Sequence, residues 1–257
     1  MAFDLNNFVI DRIVRGVALS QKDDSVLFSI NQIQNASLNC ASESADAVDA
    51  LGTPIATFYR AKSAEFSAEN ALFDMSLMAT QLGTTKKVAS SASKILVPAM
   101  ETFTVAEGGK YELKHSPKVA PTEIYALNGD STFGTKYSKA TAASATEFSI
   151  ADKTISLPTG IAAGTDMFVM YEYETENAVE VVNSATEFPT GCKFVMEVLG
   201  CDVCDQTNLI YAYVIFNNFK LSPDFDWSIA TDGAHPFSGK AQQDYCDKEK
   251  RLELIAA

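Results

Sequence analysis

Apolar and polar positions along this chain alternate with a period of two, in short runs broken by Gly, Pro, Asn and Asp, and that rhythm predicts strands. The stretch SVLFSINQIQNASL from Ser25 to Leu38 alternates well enough for one strand or a bent pair. Residues 41–50 (ASESADAVDA) are small and acidic and predict an exposed loop. After a Gly52-Thr53-Pro54 turn, an extended segment runs from Ile55 to about Phe66. The period then lengthens to that of a helix over Ala71 to Leu82, with Ser67 or Asn70 as the capping residue and Gly83 at the left-handed C′ position.

The apolar residues of this predicted helix do not form one stripe. Leu72, Met75, Ala79 and Leu82 make one face, and Phe73, Leu77 and Met78 cover much of the rest. A helix apolar nearly all round is buried on more than one side. It either completes a monomer's own core or is shared with a neighbouring subunit. The remaining pattern shows little sign of a second helix to pack on it, which favours the shared position. Phe66, Leu72, Phe73, Met75, Met78 and Leu82 are therefore the candidate interface residues.

Residues 84–94 (TTKKVASSASK) predict a linker or an exposed strand edge. Between Val97 and about Thr175, short strand-like runs (ETFTV, KYELKH, EIYAL, EFSI, TISL, MFVMYEYET) are separated by turn signals at the spacing of a small sandwich. The Ser, Thr and Ala-rich run from Thr135 to Thr146 reads as a loop. Longer strands return with CKFVMEVLG and NLIYAYVIF around the turn CDVCDQT. FKLSPDFDWSIA follows, with Pro223 marking a bulge or edge, then HPFSGKAQQDYC, a charged DKEK turn and the apolar tail RLELIAA. The expected fold is mainly β. Residues 1–96 and 179–257 form one discontinuous domain, a β-sandwich or half-barrel with one flanking α-helix, and residues 97–178 an inserted small β-sandwich.

Composition supports a packed protein: 257 residues, 47% apolar, with 16 Phe and 9 Tyr. The formal charge of −13 argues against a surface that grips nucleic acid, because phosphate binding depends on clustered Lys and Arg. The acidic excess is greatest over residues 179–257, which hold 12 acidic against 6 basic side chains. Solubility alone explains a charge of this size. No apolar run approaches the ~18 residues of a membrane helix, and the opening MAFDLNNFVIDR is not a signal peptide, so no membrane is expected and maturation is expected in the cytosol of the producing cell.

Candidate chemistry is sparse. Five cysteines (Cys40, Cys192, Cys201, Cys204, Cys246) without an export signal read as reduced thiols. Cys201-Asp202-Val203-Cys204 has C-x-x-C spacing, but a zinc site needs a second pair, for which only Cys192 and Cys246 remain, and a redox pair opens a helix rather than a hairpin turn. The only histidines, His115 and His235, have no nucleophile in a triad-like setting beside them. Asp224 and Asp226 alternate on one predicted strand face without calcium-loop spacing, and read as a solvated face. Gly108-Gly109 is a hairpin turn and not a phosphate loop. No catalytic, cofactor-binding or metal residues are assigned, and no cofactor is expected.

Three segments together resemble the major tail (tail tube) proteins of tailed bacteriophages and the related inner-tube proteins of contractile injection systems. They are TPIATFYRAKSAEFSAENALFDMSLMATQLG, then NNFKLSPDFDWSIATDG with HPFSGKAQQDYC, and the closing DKEKRLELI, within roughly residues 25–85 and 190–257. The resemblance implies a structural virion protein and no enzyme. Six copies would close a ring around a shared β-barrel, with the 55–66 strand in its wall, and rings would stack into a tube for DNA passage during genome ejection. The 97–178 block would decorate the outside as an immunoglobulin-like domain. Partners would be other copies of the chain, the tape-measure, tail-terminator and baseplate proteins, and a sheath if the tail contracts. Genomic DNA would pass without specific binding, past acidic side chains somewhere between Glu180 and Asp232. Assembly would take place in the host cytoplasm. The alternatives are another virion component (tail terminator, head-completion or capsid-decoration protein) or a β-sandwich adhesin.

Overall fold

The computed structural model describes residues 7–243 and 252–256. The chain divides into two compact units, Met1–Lys86 with Val181–Ala257, and Lys87–Glu180. Cys246 and the DKEK turn lie outside the described residues.

The first unit is built on one antiparallel sheet. Its strands are β1 (Phe8–Ser20), β2 (Val26–Ile30), β3 (Ile33–Val48) and β4 (Pro54–Asn70) from the early part of the chain. The late part supplies four more, which take numbers 14 to 17 in chain order: β14 (Gly191–Asp202), β15 (Asp205–Leu221), β16 (His235–Ala241) and β17 (Glu253–Ala256). The order across the sheet is β2-β1-β14-β15-β16-β4-β3, with β17 also paired to β15.

This order forces curvature. β2 and β3 are six positions apart, roughly 29 Å in a flat sheet. Yet only Asn31 and Gln32 connect them, and three peptide steps span at most about 11 Å. The sheet therefore curls into a half-barrel until β3 returns over β1. Gly16 sits where they meet: an added Cβ there would lie 2.8 Å from Ile33 Cδ1 and 3.0 Å from the Phe194 ring.

Inside the curl lies an aromatic core. Phe66 is 2% exposed, and its ring centroid is 5.8 Å from Phe194, 5.6 Å from Phe216, 6.4 Å from Phe219 and 5.9 Å from Phe237. The small inward residues Ala18, Ala64 and Ala68 leave room for these rings. Burying a Phe contributes about 1.5–3 kcal/mol each, so this cluster carries much of the unit's stability.

The helix α1 (Met75–Leu82) is shorter than the sequence pattern predicts. Asp74, not Ser67 or Asn70, caps it, its carboxylate accepting from the N–H groups of Ser76 (2.9 Å) and Leu77 (2.7 Å). Ser67 and Asn70 belong to β4, because Ala64, Phe66, Ala68 and Asn70 continue the inward alternation. Gly83 ends the helix as expected, at φ 73° and ψ 17°. Leu77 enters the aromatic core.

The second unit holds β5 (Lys87–Val88), β6 (Ile95–Thr104), β7 (Lys110–Glu112), β8 (Glu123–Leu127), β9 (Phe133–Lys139), β10 (Glu147–Ala151), β11 (Thr154–Ser156), β12 (Asp166–Thr175) and β13 (Val179–Glu180). Seven of them form a sheet ordered β6-β12-β8-β9-β10-β11-β7, and β13 pairs with β5. Its core gathers Phe103, Leu113, Ile124, Phe148, Ile155, Met167 and Val169. One carboxylate is buried among them. Glu101 accepts hydrogen bonds from the Tyr171 hydroxyl (2.5 Å), the Tyr111 hydroxyl (2.7 Å) and the Lys114 N–H (3.1 Å). Burial pushes the Glu101 pKa up, but these donors outweigh it and the net shift is downward. Burial, then the bond to Glu101, raises Tyr111 to about 12.

Candidate functional site

Two surfaces of the first unit are built unlike an ordinary solvent face. The first is the β3–β4 hairpin. Its strands pair from Ile33↔Asn70 out to Val48↔Pro54, but β4 is buried only from Ala64 onward. Beyond Ala64 the hairpin projects as an arm about 30 Å long, at roughly 3.4 Å per residue. Every residue from 46 to 63 is exposed, including Val48, Ile55 and Phe58, with Leu51 at 91% and Tyr59 at 73%. The register slips between Ser42 and Glu43 opposite Ala61, whose φ of 42° marks a bulge at the root of the arm. The tip is held by Asp49, whose side chain accepts from the N–H groups of Leu51 (2.8 Å) and Thr53 (2.9 Å). The predicted loop 41–50 is thus mostly strand.

The second surface is the outer face of the sheet, away from the aromatic core. Register gives it two characters. On β3, β4 and β16 the outward positions are polar: Ser37 and Asn39, Glu65, Ser67 and Glu69, then Ser238 and Lys240. On β1, β14 and β15 they are largely apolar: Val17 opposite Val195, and Tyr211, Tyr213 and Ile215 along β15. At the centre of this apolar half, Arg15 Nε donates to Glu197 Oε2 (2.6 Å) and the Tyr213 hydroxyl to Glu197 Oε1 (3.2 Å). Beside them Val17, Val195 and Tyr213 line a dimple of about 240 Å³.

A buried polar clamp fixes the helix to β16. The Asp74 N–H donates to His235 Nδ1 (3.3 Å), so the ring proton is on Nε2, which donates to Gln81 Oε1 (2.8 Å), while Gln81 Nε2 donates to the Pro236 carbonyl (3.2 Å). Burial lowers the His235 pKa, and the Asp74 charge only partly offsets that. Phe73 stacks on Trp227 (4.1 Å) and on His235 (4.9 Å).

The six sequence-predicted interface residues fall in different environments. Phe66 and Leu82 are buried inside this unit, at 2% and 7% exposure. Phe73, Met75 and Met78 are half-buried, and Leu72 is exposed. Asp224 and Asp226 are not on a strand; they lie in the loop 222–234, which with Glu69 and Ser238 lines a cleft of about 470 Å³.

Cys192 is buried, its thiol donating to the Phe219 carbonyl (3.3 Å), and burial pushes its pKa up to about 12. Cys204 is exposed at the turn of the β14–β15 hairpin, where its N–H is held by the Asp202 carboxylate (2.7 Å). Among the described residues no three His, Cys, Asp or Glu side chains converge as a metal site would require. No helix of the described residues is long and apolar enough to cross a membrane. The pattern of the sequence gives no hint of an exposed aromatic group in the second unit, yet Phe133 lies 5.2 Å from Tyr125 and 5.0 Å from Phe168, ring to ring. Its signal was register: Tyr125 and Phe168 are directly paired across β8 and β12.

Compared with known proteins, the chain has no match among curated proteins. A family model does match, over residues 8–250, nearly the whole length, and by it this chain, with its curled sheet and projecting arm, belongs to the YomU/Tube protein family.

Proposed function

We propose that this protein is the tail tube subunit of a bacteriophage virion, six copies closing a ring and rings stacking into a channel through which DNA passes. What carries the reading is the first unit's architecture in a chain of a tube family. The sheet ends in the edge strands β2 and β3, and the long β3–β4 arm is exposed on both faces from Asp46 to Arg60. Unpaired edges template pairing with another chain, and closing them into a shared barrel removes the hazard.

The hydroxyl-rich half of the outer face, with Glu65 and Glu69, suits a channel wall, because fixed carboxylates among small neutral groups repel phosphates and leave DNA free to slide. The Lys87–Glu180 unit is read as an immunoglobulin-like decoration on the outside of the tube. The role is structural and non-catalytic, in the virion tail, with tape-measure, terminator and baseplate proteins as neighbours. Inner tubes of contractile injection systems are the same architecture in this reading.

Electron microscopy of the purified full chain tests it. Rings or tubes with six-fold symmetry about a helical axis are expected. A protein that stays monomeric under every assembly condition, or closes into rings that never stack, overturns the proposal.

A further inference from the structure

We infer that the apolar half of the sheet's outer face is the seat for the β3–β4 arm of a second copy of this chain. This rests on the tube reading and adds which surface meets which.

The arm needs a cover. A two-stranded hairpin with neither face packed is marginal in water, and this one also carries a bulge with Ala61 at positive φ. It nevertheless presents Leu51, Ile55, Phe58 and Tyr59 to solvent. The seat needs a cover too. In an antiparallel sheet with one face on the core, the other face is normally polar, and strands apolar on both faces are covered on both. β14 and β15 read VMEVLG and LIYAYVIF, apolar at nearly every position, and of their outward side chains Tyr211 is exposed and Val195, Tyr213 and Ile215 are half-buried.

Charge decides between the two halves of the outer face. From Ala41 to Ser63 the arm carries three acids, Glu43, Asp46 and Asp49, against two bases, Arg60 and Lys62. The polar half and its adjoining cleft hold Glu65, Glu69, Asp224 and Asp226, with Lys240 already paired to Glu65 (2.7 Å), and repel such an arm. The apolar half is close to neutral, with Arg12 paired to Asp11 (3.3 Å) and Arg15 to Glu197 (2.6 Å), and does not repel it. The dimple lined by Val17, Val195 and Tyr213 is open to one apolar side chain of the arm.

Arm and seat are different patches of one molecule. Their contact is therefore head-to-tail, leaving each copy with one free arm and one free seat, and contacts of that kind propagate into rings or filaments.

Two variants and their mixture test this. The arm variant is Leu51→Asp with Tyr59→Asp; the seat variant is Arg12→Glu with Tyr211→Asp. All four positions are exposed, so thermal transitions matching the unmodified chain are expected for both. By light scattering, each variant alone is expected to remain monomeric at a hundred times the concentration at which the unmodified chain polymerises. Mixed one to one, they are expected to form heterodimers and nothing larger, because one intact arm meets one intact seat. A variant that polymerises like the unmodified chain overturns the inference, as does a mixture no heavier than its parts. If the unmodified chain forms tubes and the mixture does not dimerise, the seat is wrong and the tube reading stands. If the mixture dimerises and the unmodified chain forms aggregates without a channel, the tube reading falls and the seat stands.

Discussion

Phe66 separates a core role from an interface role, and Phe66→Ala measures which it plays. Its ring is 2% exposed and has four aromatic neighbours within 6.4 Å. Truncating a buried Phe costs about 3–5 kcal/mol through lost transfer energy and the cavity left behind. Aromatic pairs add about 0.5–1.5 kcal/mol beyond area, and strands fixed on both sides by β3 and β16 leave little backbone free to collapse, which places the cost at the upper end, about 4–5 kcal/mol. For a unit of this size each kcal/mol lowers Tm by roughly 2–4 °C, so a fall of about 10–20 °C is expected. Calorimetry at concentrations below assembly is the assay. The transition of the Lys87–Glu180 unit serves as an internal reference and is expected not to move. If the first unit's transition is unchanged while polymerisation is lost, Phe66 acts between subunits and the description of the core is wrong.

Four further outcomes are expected. The His235 pKa lies below its ordinary 6.5 in the folded chain, so the unfolded chain takes up the proton first. The stability that the neutral ring contributes is present above pH 6.5 and lost as pH falls through the folded value; the first unit's Tm therefore declines on acidification, and His235→Phe removes that slope. In the second unit, Tyr111 is raised from 10.0 to about 12, so its contribution is complete below pH 10 and is lost as pH rises toward 12, seen as loss of near-ultraviolet circular dichroism. Glu101→Gln there costs about 1.5–3 kcal/mol by weakening charge-assisted bonds, and brings the alkaline loss to lower pH. Gly83→Ala and Gly83→Asn are both expected to lower the first unit's Tm by several degrees, because a Cβ would lie 2.2 Å from the Phe188 backbone; an Asn variant as stable as the native protein means that only the left-handed conformation mattered.

Much of the first unit was legible because its residues obey one-sided burial. Alternation at Ala64, Phe66 and Ala68 marks β4, and a helix that must stop at Gly83 is readable from glycine alone. Legibility failed where that condition fails. Residues 41–48 look like a loop because neither face of the arm is buried, so no alternation is selected and strand pairing alone holds them. Thr135–Lys139 were hidden in the same way, within the exposed strand β9. Asp74 is not legible as the cap because the apolar pattern begins before it, at Ala71 and Leu72, in residues that connect strand to helix. Glu101 could not be foreseen at all: a carboxylate on an inward strand position is stable only through Tyr111, Tyr171 and the Lys114 N–H, partners up to 70 residues away. On the sheet's outer face, the apolar runs of β14 and β15 are visible in the sequence, but which residues face outward is fixed by register with β1, almost two hundred positions earlier.

That register also sets a clock. β1 pairs with β14 from Phe8↔Asp202 to Ser20↔Cys192, so the strand made first waits for one made nearly last. On the ribosome, the continuous Lys87–Glu180 unit can close its core while β1 to β4 are still without most of their sheet. The arm, by contrast, is a local hairpin that can pair as soon as Asn70 emerges, with its loop closed over only a few residues at the Asp49–Thr53 turn. Nascent chains on neighbouring ribosomes would thus display arms before any of them offers a completed outer face, which depends on β14, β15 and β17.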